Sequence, residues 1–222
     1  MTIAGIEGSI RARILSTDMR GDATRLVQIP SGWGTGLVGS FTAGVELLVV
    51  RGAMTVGREE VGVLDYVSIP SNRSLQGVRA SSVTLALLMT SGPVRFEINA
   101  GRGPARVEVV RGSQISWQPE EDRPGRYLRP LGVGPRGRAW IGGAKNWIAD
   151  ADQAHSHEDA EEMFVLEGSL SLTEHGEEAV EIFDYEAGGY CFRPAGAVHG
   201  GEGSRCEGTS LAFHRRFSRS SF

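Results

Sequence analysis

The sequence predicts an all-β protein made of two small barrels in tandem. Apolar runs are short and alternate with turn-forming residues, and glycine is abundant, at 31 of 222 residues. Runs of this kind are typical of β-sandwiches and barrels. No segment has the spacing of an amphipathic helix, so any helix should be a single short turn. With 40% hydrophobic residues, the chain can bury one large or two small cores.

The prediction of two barrels comes from a weak internal repeat. Val45-Glu-Leu-Leu-Val-Val-Arg-Gly52 matches Glu161-Glu-Met-Phe-Val-Leu-Glu-Gly168, and Asp65-Tyr-Val-Ser-Ile-Pro70 matches Gly189-Tyr-Cys-Phe-Arg-Pro194. The offset is 116 residues at the first match and 124 at the second. The second copy therefore carries about eight extra residues, which we assign to a polar loop around His175, where insertions are tolerated.

These matches divide the chain into four parts. Residues 1–20 are an N-terminal extension, and residues 21–98 form the first half of the repeat. Residues 99–215 form the second half, and residues 216–222 are a short basic tail. We interpret the tail as a frayed terminus rather than a nucleic-acid-binding arm.

Four residues of the second half are predicted to form one metal site: His155, His157, Glu161 and His199. Two histidines at positions i and i+2 point to the same face of a β-strand. Asp159 and Ala160 allow a turn, after which Glu161 can return on a neighbouring strand that faces the same interior. Three imidazoles and one carboxylate suit zinc, iron, nickel, copper or manganese and leave positions for water or substrate.

The first half of the repeat lacks all four candidate ligands. The residues opposite them in the alignment are Gly39, Phe41, Val45 and Leu75. Because the interior of a small barrel that holds no metal is filled by side chains, we expect Phe41, Val45 and Leu75 to line a dry, apolar interior. The second half is therefore expected to carry the chemistry.

Both halves resemble cupin domains, and the second half matches two cupin signatures. The first is His155-x-His157-x3-Glu161-x6-Gly168, and the second is Gly188-x5-Pro194-x-Gly196-x2-His199. The second half also resembles the cupin part of zinc-binding anti-sigma factors and of acetylacetone-dioxygenase-like proteins. The resemblance covers roughly residues 20–215 and is weaker in the first half. It implies a bicupin, with two double-stranded β-helix (jelly-roll) barrels and one metal at the mouth of the second.

Several neighbouring residues have more than one interpretation. Glu162 competes with Glu161 as a ligand, but strand alternation places the two on opposite faces, and the spacing to Gly168 favours Glu161. Arg193 could orient an anionic substrate or form an ion pair, and His214 could face the core or the pocket. The remaining candidates are interpreted as a solvated loop histidine, a small buried thiol, and packing or pocket-wall aromatics: His175, Cys191, Trp117, Trp140 and Trp147.

Composition excludes several classes of partner. The net charge of −4 and the isoelectric point of about 5.8 give no electrostatic case for nucleic acid or an anionic membrane. Residues Met1 to Thr17 lack the apolar core of a secretory signal, and no apolar stretch is long enough to span a membrane. The two cysteines, Cys191 and Cys206, are too few for a disulfide scaffold. A cytoplasmic protein is the expectation.

The function predicted from these features is that of a metalloenzyme acting on a small molecule. One divalent ion per chain, Fe, Zn, Ni or Mn, would polarise a carbonyl or activate water or dioxygen. The resemblance implies dioxygenase-like, isomerase or hydrolase chemistry. The alternative is a non-catalytic zinc sensor related to anti-sigma factor cupins, although the N-terminus lacks the cysteine–histidine cluster of those proteins. A homodimer is left open as the assembly.

Overall fold

A computed structural model describes residues 1–104, 106–134 and 137–217, and in this part of the chain the regular structure is almost entirely β. The described residues divide into two compact units, residues 1–114 with 134, and residues 115–133 with 137–217. The all-β prediction is confirmed, since the helices described are two single turns, Gly112–Gln114 and Ala151–Gln153. None of the described helices has the length and hydropathy needed to cross a membrane.

The first unit contains eleven strands among its described residues. They are β1 Arg11–Thr17, β2 Ala23–Ile29, β3 Gly34–Phe41, β4 Val45–Arg51, β5 Met54–Val56, β6 Glu59–Val61, β7 Asp65–Ile69, β8 Leu75–Ala80, β9 Thr84–Thr90, β10 Phe96–Ile98 and β11 Glu108–Arg111. Their antiparallel pairing gives two sheets, with orders β1-β2-β9-β4-β7-β11 and β10-β3-β8-β5-β6. Within these described strands the pairing does not close into a single barrel.

The interior of the first unit is apolar. Phe41, Val45 and Leu75 are each at most 5% exposed and belong to one hydrophobic cluster, as the repeat alignment predicts. The N-terminal residues, treated as an extension in the sequence, also contribute to this cluster through Ile3 and Ile10. Burying these isoleucines ties the N-terminus to the first unit.

The second unit contains nine strands among its described residues. They are β12 Gln118–Pro119, β13 Arg126–Gly134, β14 Gly137–Ile148, β15 Ala160–Glu167, β16 Ser169–His175, β17 Val180–Glu186, β18 Tyr190–Arg193, β19 Val198–His199 and β20 Arg205–Phe217. The main order is β12-β13-β14-β20-β15-β18, and β16 pairs with β17, β19 and β20.

The two units use the same strand order. The order β1-β2-β9-β4-β7 of the first unit corresponds to β13-β14-β20-β15-β18 of the second. Gly39 pairs with Leu75 in the first unit, and His155 forms a bridge with His199 in the second. Both pairings agree with the repeat alignment, which places His155 opposite Gly39 and His199 opposite Leu75.

The extra residues of the second half lie mainly in strands rather than in a loop. β16 and β17 have seven residues each, whereas their counterparts β5 and β6 have three. His175, expected in a solvated loop, is therefore the last residue of β16 and is paired with Val198. Its Nε2 lies 3.0 Å from the carbonyl oxygen of Gly200, so this side chain is half-buried and hydrogen-bonded.

Candidate metal centre

Backbone pairing brings the predicted histidines together. The amide of His155 donates to the carbonyl of His199, and the amide of His199 donates to the carbonyl of His155, both at 2.9 Å. His155 lies in this isolated bridge and His157 in a loop, so the strand predicted for the pair is reduced to one bridge. Gly196 has a φ of +82°, which glycine adopts without strain, and its amide donates to the carbonyl of His157. The turn before β19 thus fixes both histidine segments.

The side chains of His155, His157 and His199 form one cluster. One ligand atom from each lies within 4.8 Å of the others. The Nδ1 atoms of His155 and His199 lie 2.8 and 3.1 Å from the carbonyl oxygens of Gln153 and Ala197. Donation from Nδ1 leaves the Nε2 lone pair free for a metal, because hydrogen bonding at one ring nitrogen sets the tautomer.

Glu161, at the start of β15, adjoins this cluster. Its Oε2 lies 3.1 Å from His157 Nε2 and 3.9 Å from His199 Nε2. Ligand atoms that sit about 2.1 Å from one ion are separated from each other by about 3–4 Å. Glu161 therefore has this spacing from two of the three clustered histidines, and a carboxylate is a common donor beside imidazoles for a divalent metal.

The environment favours the protonation states that metal binding requires. Burial lowers the pKa of His155, and burial together with the charge of Arg193 lowers the pKa of His199 to about 3. Burial alone would raise the pKa of Glu161, but hydrogen bonds from His157 and His214 hold it well below its usual value. The result is neutral imidazole beside ionised carboxylate, as metal coordination demands.

His214 on β20 forms a hydrogen bond with the carboxylate of Glu161. Its Nδ1 lies 3.1 Å from Glu161 Oε1, and its ring is buried and stacked on Trp140 at a centroid distance of 5.1 Å. Of the two alternatives for His214, the pocket position is the one observed. A histidine in this place fixes the orientation of the carboxylate and leaves Oε2 directed towards the histidine cluster.

Arg193 forms the ion pair that was one of its two alternatives. Its Nε and Nη2 donate to Glu174 Oε1 at 3.0 and 2.6 Å, and its Nη1 lies 3.8 Å from Glu161 Oε1. Cys191 is half-buried against the core of the second unit, and burial raises the pKa of its thiol to about 12. This cysteine is therefore a protonated packing residue at neutral pH.

Glu162 faces the opposite side of the sheet from Glu161. It is buried, accepts a hydrogen bond of 2.9 Å from the Tyr190 hydroxyl, and is paired with the buried Arg215. Strand alternation therefore places only the first of the two glutamates beside the histidines.

The cluster opens onto a cavity of about 490 Å³ within the second unit. His155, Glu161, His199 and His214 line it. Its apolar wall is formed by Leu128, Trp140, Trp147, Met163, Leu170 and Leu172. Two of the three tryptophans considered in the sequence thus line the cavity, whereas the Trp117 ring packs against Arg129, whose guanidinium carbon is 4.1 Å from the ring centroid. A cavity of this size accommodates a small organic molecule.

Sequence reasoning missed four arginines of this site, Arg123, Arg126, Arg138 and Arg216. Arg216 Nη2 lies 2.7 Å from His157 Nε2, and Arg123 Nη2 lies 3.3 Å from both ring nitrogens of His155. Arg126 also lines the cavity. Arg216 was assigned to the frayed tail, but it belongs to β20, while residues 218–222 lie outside the described chain. The available signal was its position two residues after His214, which places both on one face of a strand.

Comparisons with known proteins agree with this architecture. Residues 105–217, just over half of the chain, match the family model described as ChrR Cupin-like domain. A candidate dioxygenase from Nostoc punctiforme PCC 73102 aligns over 100% of this chain and 79% of its own, with 18% identity and a TM-score of 0.80. No curated protein sequence matches the chain.

Two further solved structures share the fold. Oxalate decarboxylase of Lactobacillus farciminis, in a formate complex, has 12% identity and a TM-score of 0.67 over 99% of this chain and 85% of its own. A variant of salicylate 1,2-dioxygenase from Pseudoaminobacter salicylatoxidans, in complex with gentisate, has 12% identity and a TM-score of 0.68 over 97% and 76%. At these identities the likeness concerns the fold alone. Through the family match, this chain belongs to the cupins with a ChrR Cupin-like domain.

Proposed function

We propose that the second unit is the catalytic part of a metalloenzyme that acts on a small molecule. The observation that carries this proposal is a cluster of three histidines beside Glu161, of which His155, His199 and Glu161 line a cavity of about 490 Å³. His155, His157, Glu161 and His199 would hold one divalent ion, Fe, Zn, Ni or Mn, through three nitrogen atoms and one oxygen atom. The ion would act as a Lewis acid or would activate dioxygen or water.

The side chains around the ligands have separate tasks in this proposal. His214 holds Glu161 in the orientation that directs Oε2 towards the histidines. Glu174 holds Arg193, so the positive charge beside Glu161 stays fixed. Trp140, Met163 and the leucines of the wall keep water away from the bound molecule.

We favour dioxygenase-like chemistry, with isomerase or hydrolase chemistry as the other options. Two of the structures that share the fold carry the name dioxygenase, one of them only as a candidate, and another is an oxalate decarboxylase. The donor set suits iron or manganese, the metals that react with dioxygen, as well as zinc.

The test of this function begins with metal analysis of protein produced without added metal. Diketones, keto acids and phenolic compounds are then offered to the iron, manganese, nickel and zinc forms, with oxygen uptake and product formation followed together. The His155→Ala variant is the inactive control. Turnover by the wild type, lost in this variant, is expected, whereas no turnover with any metal refutes the enzyme.

The alternative is a non-catalytic zinc-binding sensor, which the resemblance of the second half to anti-sigma factor cupins favours. Zinc as the resident metal, together with no turnover and a zinc-dependent interaction with one protein, would support this alternative. Iron or manganese as the resident metal would count against it.

We also propose that the chain is a bicupin, whose first copy, near residues 21–98, has lost its metal, while the second, near residues 99–215, keeps it. The shared strand order and the equivalent pairings of Gly39 with Leu75 and of His155 with His199 support this proposal. The apolar cluster of the first unit contains Phe41, Val45 and Leu75, which the alignment matches to His157, Glu161 and His199 of the second copy.

A further inference from the structure

We propose that the cavity of the second unit binds a small organic acid as its carboxylate, and that Arg138 and Arg216 receive this carboxylate. The inference rests on the proposed function, because it names the chemical class of the molecule on which that site acts. It is carried by the arrangement of charged residues in the sheet and along the cavity.

Charged residues form a row across four neighbouring strands. Arg138 on β14 is directly opposite Arg216 on β20, Arg216 is opposite Glu161 on β15, and Glu161 is opposite Arg193 on β18. Directly opposed residues of antiparallel strands share one face of the sheet, and like charges in that relation are destabilising. The neighbouring Arg138 and Arg216 thus present two positive charges on the face that carries Glu161.

Glu161, the one carboxylate of this row, and Arg193 already have partners. Arg193 is held by Glu174, and Oε1 of Glu161 is held by His214. Arg216 lies 3.3 Å from Oε2 of Glu161 and 2.7 Å from His157 Nε2. These are the two atoms whose lone pairs a metal would use. A metal held by these two atoms would compete with Arg216 for them, so that Arg216 would need another acceptor in the cavity.

Positive charge also predominates elsewhere along the cavity. Among its described lining residues, five are arginines, whereas three are carboxylates. Arg123 and Arg126 share Glu120, at 3.6 and 3.8 Å, and the buried Nε of Arg126 makes no hydrogen bond within the described chain. An excess of positive charge lining a concave site attracts anions more strongly than the same charges on a flat surface.

The rest of the cavity indicates what kind of anion fits. Leu128, Trp140, Met163, Leu170 and Leu172 offer an apolar wall. Arg216 has its guanidinium carbon 5.2 Å from the centroid of the Trp140 ring and keeps about a third of its side chain exposed. A guanidinium binds a carboxylate with two parallel hydrogen bonds, while an adjacent apolar wall binds a hydrocarbon body. These features favour an organic acid over inorganic phosphate.

The experiment measures binding to the full chain by isothermal titration calorimetry, with the zinc-loaded protein and with protein stripped of metal. The probes are benzoate, its neutral analogue benzamide, malonate and inorganic phosphate. The variants are Arg138→Gln and Arg216→Gln, with Arg205→Gln as the control on the same strand. Arg205 is exposed and does not line the cavity. The metal content of each variant is also measured. Arg216 contacts the proposed ligands His157 and Glu161, so its replacement could change metal binding, whereas Arg138 is paired with Arg216 and not with a proposed ligand.

Benzoate or malonate is expected to bind once per chain, and benzamide at least about tenfold more weakly than benzoate, because a charge-assisted hydrogen bond is lost. Each cavity variant should raise the Kd of the acid by about fivefold or more, and Arg205→Gln by less than about twofold. The proposal is overturned if neither acid binds, if benzamide equals benzoate, if both cavity variants bind like the wild type, or if phosphate binds as tightly as the acids.

Failure of this inference is distinguishable from failure of the proposed function. Arginine-dependent binding of an acid without turnover by any metal form supports the inference and refutes the enzyme. Turnover of a neutral diketone without binding of any acid supports the enzyme and refutes the inference.

Discussion

The two units place different residues at equivalent positions of one strand order. In the first, Val45 is paired with Ile69 and Thr90. In the second, Glu161 is paired with Arg193 and Arg216. The first unit has a small apolar void of about 30 Å³, whereas the second has the polar cavity of about 490 Å³. The comparison teaches that the strand framework does not require the polar site, since an apolar interior fills the same arrangement.

Removing one proposed ligand should empty the proposed metal site of the second unit. For His155→Ala we expect metal affinity to fall by more than about 100-fold, so that the dialysed variant holds little metal, since loss of a ligand should exceed the 10–100-fold cost typical of supporting residues. Elemental analysis after dialysis measures it. His175→Ala is the matched control, because His175 bonds to the carbonyl of Gly200 outside the cluster. Full occupancy in His155→Ala would contradict the proposed donor set.

A substitution at Leu75, in the first unit, tests whether the interior of that unit is a packed apolar core. Leu75→Ala should lower the free energy of unfolding by about 2–5 kcal/mol, because it opens a cavity in a packed core. Urea unfolding measures it. Leu37→Ala is the control, since the Leu37 side chain on β3 is exposed. A change in Leu75→Ala well under about 1 kcal/mol would show that Leu75 does not belong to this core.

These positions also show how far the sequence could lead. Short motifs and the repeat predict the histidines, Glu161 and the apolar residues at the equivalent positions of the first half. They can do so because residues two apart on a β-strand point to the same face of the sheet. Arg123 lies 32 residues before its contact His155, and Arg216 lies 59 residues after His157. Arg123 lies outside the described strands, so no strand alternation predicts its contact. Arg216 shares a face of β20 with His214, but which face meets the histidines depends on the pairing of β20 with β15. The extended β16–β17 hairpin was misassigned because polar composition suggested a loop where long strands pair.

A smaller loss of metal affinity is expected on replacing His214, which contacts the proposed ligand Glu161 but is not itself a proposed ligand. His214→Phe keeps a ring against Trp140 but removes the hydrogen bond to Glu161. Metal affinity should fall about 10–100-fold, the usual cost of losing a partner of a ligand. Competition with a chromophoric chelator measures this affinity. His175→Phe is the control, and unchanged affinity in His214→Phe would assign His214 to packing alone.

The smallest effect concerns pH, and it belongs to the second unit because all five histidines of the chain occur from His155 onward. Burial and Arg193 lower the pKa of His199 to about 3 in the folded, metal-free protein, against about 6.5 when unfolded. Below about pH 6.5, His199 therefore binds a proton in the unfolded chain but not in the folded chain. Stability must fall as the pH falls through this window.

We accordingly expect the Tm of metal-free protein to decrease between pH 7 and pH 5, a window above the range in which Glu161 takes up a proton. His199→Gln should make this decrease shallower. It should not abolish it, because burial also lowers the pKa of His155 and His214. Differential scanning calorimetry across this range measures the slope. An equal slope in His199→Gln and in the wild type would mean that His199 accepts a proton as readily in the folded site as in the unfolded chain.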